Sequence, residues 1–194
     1  MGRRGRHGSS KSELQETLFR RPALRESPMC LHSFSTLSVR QRPPLITISD
    51  ADIIPLDDFP LAWRFVSNRH GRWASKELGR LHPLSPVSSS RAHSAVLAIR
   101  ANLGTPLVAF RTDDTPAEVS RRLHELPPDG SERIVLSWDE GTALATDYET
   151  FASRWDDFCY SASDDVTVLP MRGAWIIQYH HYDVFQFRTG VSAA

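Results

Sequence analysis

Residues 133–190 read RIVLSWDEGTALATDYETFASRWDDFCYSASDDVTVLPMRGAWIIQYHHYDVFQFRTG. The apolar period, turn residues and helix caps of this stretch agree with one another, as they do in a sequence that specifies one fold. Ile134 to Trp138 is a β-branched and aromatic run, and Asp139, Glu140 and Gly141 follow as turn material. Thr142 to Ala145 returns, so a hairpin is expected. Then Tyr148, Phe151, Ala152, Trp155 and Phe158 fall at helical spacing and predict one helix ending near Tyr160. Thr146 with Glu149 reads as its capping box. Val166 to Leu169 is a strand stopped by Pro170. Trp175, Ile177 and Tyr179 alternate with Ile176, Gln178 and His180, and Phe185 and Phe187 share a face of the returning strand. That alternation predicts one buried side and one wet side. The fold class is therefore α+β, a small, mainly antiparallel sheet packed by two to three helices. Each large apolar side chain buried between them contributes about 1.5–3 kcal/mol.

Upstream, Leu45 to Ile48 alternates as an edge strand would, and Pro55 and Pro60 forbid a long element after it. Ser75 is placed to cap a short helix that Pro83 and Pro86 stop. A second helix, residues 88–103, takes its cap from Ser88, Ser89 or Ser90, with Gly104 as its C-terminal glycine. Leu107 to Phe110 is a short strand. Thr115, Pro116 and Glu118 start a third helix with Val119, Leu123 and Leu126 as its stripe.

PLDDFPLAWRF at 55–65, VLSWD at 135–139, FASRWDDFCY with its SDDV follow-on, and the closing aromatic hairpin together resemble a bacterial family, the domain of unknown function numbered 2947. The resemblance covers two short blocks. It implies a shared core and no known activity.

At 194 residues the chain suits one domain, residues 45–190, flanked by tails at 1–44 and 191–194. The tail 1–44 holds nine Lys/Arg and three Asp/Glu, a charge of +6 that the rest of the chain balances with −6. It reads as disordered, or as translation from a misassigned start. A basic arm also attracts phosphate, which makes nucleic-acid contact by this tail a reading of its own. The folded part is mildly acidic, a poor footprint for nucleic acid. Cys30 and Cys159 suggest no disulfide framework, which fits a reducing cytoplasm. No run approaches the roughly 18 apolar residues of a membrane span, and the basic N-terminus lacks the apolar core of a signal peptide.

No phosphate loop, dinucleotide fingerprint or nucleophile elbow occurs, so no cofactor is expected. His180, His181 and Asp183 on the last turn, with Asp164 or Asp165, have the ligand types of a zinc hydrolase. Their spacing matches no local zinc signature, and adjacent strand residues point apart. Cys159 next to Phe158 reads as packed and inert. Asp157 is out of place near a helix C-terminus, where negative charge is mildly unfavourable, and a contact with Arg154 or a partner's cation would explain it. Four tryptophans read as core. Trp73 in NRHGRW, beside Arg72, has the composition of an exposed interface hot spot. The leading reading is a protein-binding module, immunity-like or regulatory, whose acids Asp113, Asp114, Asp139, Glu140, Asp156, Asp157, Asp164 and Asp165 steer a basic partner.

Overall fold

The computed structural model describes residues 46–66, 73–101 and 103–191. All of them belong to one compact unit, Arg40–Ala194. The tail 1–44, residues 192–194 and Arg72 lie outside the described residues.

In chain order the elements are α1 (Trp63–Val66), α2 (Ser75–Leu78), β1 (His82–Pro83), α3 (Pro86–Arg100), β2 (Val108–Arg111) and α4 (Pro116–His124). The core stretch then supplies β3 (Arg133–Ser137), β4 (Ala143–Asp147), α5 (Tyr148–Ser153), α6 (Trp155–Phe158), β5 (Val166–Pro170), β6 (Trp175–His180) and β7 (Val184–Thr189). The seven strands form one sheet in the order β1-β4-β3-β5-β6-β7-β2, and every neighbouring pair is antiparallel. The class is α+β as expected, but the sheet is larger than a small one.

Helices pack on both of its faces. Ala92, Val96 and Ile99 of α3 cluster with Val135, Ala145, Leu169 and Ile176. On the other face, side chains from α4, α5 and α6 cluster with Ile134, Leu136, Val168, Ile177, Phe185 and Phe187. The expected wet side of β6 is accordingly absent: Trp175 to Tyr179 are all buried. No described helix is long and apolar enough to cross a membrane.

Several boundaries differ from the sequence reading for local reasons. Pro86 does not stop a helix but opens α3 at its first position, where a missing N–H costs nothing. Ser85 is therefore the cap, accepting from the Ser88 N–H, and Ser88 and Ser89 are buried inside the helix. Gly104 lies beyond the Ala101 cap. Thr146 pairs with Ile134 in the sheet, so the α5 cap passes to Asp147, whose carboxylate accepts from the Thr150 N–H at 2.7 Å. The expected single helix breaks at Arg154 (φ −129°, ψ 26°) into α5 and α6, and its whole stripe is still buried. Residues 46–49 form no strand; Ile46 and Ile48 pack against the α3 side of the sheet. Val191 rejoins that cluster, with its N–H donating to the Ala174 carbonyl.

Candidate functional site

The loop after α6, the β6–β7 turn and α1 meet at one end of the sheet. Inside, their charges are matched to one another. Arg64 and Asp164 are buried and joined by two hydrogen bonds, Arg64 Nη1 to Oδ2 and Nη2 to Oδ1, the latter 3.0 Å. Asp164 Oδ2 also accepts from the Tyr160 N–H at 2.8 Å, and Arg64 Nη1 donates to the Phe158 carbonyl at 3.2 Å. The guanidinium lies 4.3 Å from the Tyr160 ring centroid. Trp73 Nε1 donates to Asp157 Oδ2 at 2.8 Å, and both residues are buried. Buried charges persist only when paired or hydrogen-bonded.

Three expectations are corrected by this arrangement. Trp73 is no exposed hot spot; at 4% exposure it is a core anchor. Asp157 and Asp164 are not steering charges on the surface but closing groups of the core. The awkward helix position expected for Asp157 does not arise: the break at Arg154 puts it in the first turn of α6, where a carboxylate is favourable, and the Trp73 indole donates to it. Arg154 instead pairs with Glu77 and lies over the Trp73 ring.

The outside of the same end is aromatic. Trp63 is 49% exposed and Tyr182 71%. The Trp63 ring meets that of half-buried Tyr160 at 5.5 Å, edge to face. Ser161 Oγ donates to Asp183 Oδ1, and the Ala162 N–H donates to the His181 carbonyl at 3.2 Å, so the Tyr182 turn is tied to the same loop. Asp183 holds the left-handed conformation (φ +63°) that closes the hairpin. The Ser161 and Tyr179 hydroxyls donate to Asp183 and hold its carboxyl below the ordinary range.

Exposed Asp165 accepts from the His181 backbone N–H at 3.1 Å and lies 3.1 Å from His181 Nδ1 and 3.7 Å from His180 Nδ1. Burial pushes its carboxyl up, but the His181 N–H and the two imidazoles outweigh that and leave it lowered. The two histidines thus share Asp165, while Asp183 is engaged by hydroxyls. Among the described residues no group of three or more His, Cys, Asp or Glu is set to hold a metal ion. The zinc-hydrolase arrangement of His180, His181 and Asp183 is not formed. Cys159 is buried, and burial pushes its thiol well above the usual value, so it is no ready nucleophile.

Of the remaining acids, Asp113 and Asp114 pair with Arg111 and Arg122, and Asp139 accepts from the Gly141 N–H in its turn. Glu140 accepts from the Ser90 hydroxyl at 3.3 Å, and Asp156 is half-buried. The sequence pattern points to Trp73 as the exposed tryptophan, whereas Trp63 is the one about half exposed. Trp63 and Phe65 are two residues apart in α1, about 200° around a helix. With Phe65 in the core, Trp63 is turned outward, and that spacing was the available signal. No family model, curated protein or solved structure matches the chain.

Proposed function

We propose that the protein is a binding module that docks a partner protein on the Trp63–Tyr160–Tyr182 end of its sheet. The observation carrying this reading is the half-exposed Trp63 indole, braced against Tyr160 and beside an Arg64 that Asp164 fixes from within. A large aromatic already immobilised by its neighbours loses little freedom on binding, and Trp, Tyr and Arg dominate interface energetics. Exposed Asp165 borders the same turn, and an indole face attracts cations. The partner is therefore expected to present Lys or Arg, with association slowed by salt.

The test compares the wild-type chain with a Trp63→Ala, Tyr182→Ala double variant, each immobilised and exposed to extract of the cells that make the protein. A chain captured by the wild type is identified, purified and titrated against both. The reading requires at least a roughly 30-fold loss of affinity in the variant, the scale of a hot-spot truncation, and weaker binding as salt rises. Equal affinity of the two, or no capture even at low salt, overturns it.

A further inference from the structure

At the opposite end of the sheet, beside the start of β3 and the turn after β5, lies a cavity of about 490 Å³. That volume falls in the range of small-molecule sites. Ile48, Ile53 and Met171 give it apolar wall, and Arg133 and Arg172 stand in its lining. The Met171 N–H donates to the Arg133 carbonyl at 2.8 Å, which fixes the backbone carrying the two arginines side by side.

These two arginines differ from most others in the fold. Arg64, Arg80, Arg91, Arg122 and Arg154 each have a carboxylate within ion-pair distance. Among the described residues neither Arg133 nor Arg172 has one. The acids of the lining are Asp50 and Glu132, and Glu132 is turned away: its Oε2 accepts from Trp175 Nε1 at 3.1 Å. The turn holds Glu132 there closely, since a Cβ on Gly173 (φ +121°) would lie 3.1 Å from Oε1.

We propose that this cavity binds a small organic monocarboxylate, its carboxylate held by Arg133 and Arg172 and its hydrocarbon body against Ile48, Ile53 and Met171. Guanidinium matches a carboxylate with two parallel hydrogen bonds. The apolar wall favours a ligand with a hydrocarbon body over a bare anion. Asp50 in the lining disfavours a second negative charge, which favours a monocarboxylate over the phosphate dianion. The site lies at the far end of the sheet from Trp63 and does not rest on the binding-module reading.

Hexanoate, hexanamide and inorganic phosphate are titrated into the full chain by calorimetry, with Arg133→Gln and Arg172→Gln as variants. Both arginines are exposed, so the variants should fold, and circular dichroism checks that they do. Hexanoate is expected to bind saturably, with hexanamide and phosphate at least about tenfold weaker, and each Gln variant is expected to lose about tenfold of the hexanoate affinity. Absence of saturable hexanoate binding overturns the proposal. So does hexanamide binding as tightly (an apolar hollow only), phosphate binding as tightly (an unselective cationic patch), or undiminished hexanoate affinity in both variants.

Discussion

The two ends of the sheet treat the same side chain in opposite ways. At the end formed by α1, α6 and the β6–β7 turn, Arg64 is buried against Asp164 and the Trp73 indole closes on Asp157. At the other, Arg133 and Arg172 are exposed around a cavity with no carboxylate in ion-pair range among the described residues. A charge removed from water has to find its partner inside the chain, whereas one left at a cavity rim is solvated and remains free to meet a ligand. The first end is thus locked and offers only its aromatic exterior. The second offers charge and room.

The largest effect is expected at Asp164. Asp164→Ala leaves the buried Arg64 guanidinium without its counter-ion and should cost about 3–5 kcal/mol, read as a fall in the urea midpoint. Replacing both partners, Arg64→Met with Asp164→Leu, should recover most of that loss. If Asp164→Ala costs under about 1 kcal/mol, the pair behaves like a surface bridge and the contrast between the ends fails.

The tryptophans sharpen the same contrast. Trp73→Phe keeps a ring but removes a donor to the buried Asp157 carboxylate, and should cost about 1–3 kcal/mol. Trp63→Ala, on the outer surface, should change stability by no more than about 1 kcal/mol. Urea unfolding of the pair decides it; equal losses would mean that Trp63 is as structural as Trp73.

The smallest effect belongs to Glu132 beside the cavity. Burial holds its carboxyl above the ordinary value of 4.5, against the pull of the Trp175 N–H, and Asp129 adds to the rise. The folded state therefore binds the proton more tightly than the unfolded chain. This contribution to stability is fully present below pH 4.5 and is lost as pH rises through the folded value. Glu132→Gln keeps an acceptor for Trp175 and does not ionise, so it should gain on the wild type from pH 4 to pH 7. Because the group is partly exposed, the gain should stay under about 1 kcal/mol. Melting temperatures at the two pH values test this, and a constant difference between the proteins would remove burial as the cause.

Much of the fold was legible wherever near neighbours in sequence decide. The β3–β4 and β6–β7 hairpins, β5 ending at Pro170 and the Thr115 cap of α4 all follow from period and turn chemistry. What failed was decided by residues far along the chain. Thr146 was taken from the cap by its place opposite Ile134. Gln178 reads as a wet position, yet Arg188 from β7 donates to its amide oxygen at 2.7 Å and the residue is 4% exposed. Asp164 looked like half of a surface acid pair because Arg64 stands one hundred residues earlier. The cavity carried no sequence signal at all, since its lining comes from three separate segments.

The sequence alone determined the α+β class, the hairpins of the core stretch and the apolar stripes, because these depend on periods of two and 3.6 residues that each segment carries within itself. Tertiary structure decided which charges are buried, which tryptophan faces outward and where two arginines meet a cavity. Those outcomes depend on burial and pairing between distant segments, and only the closed fold brings the partners together.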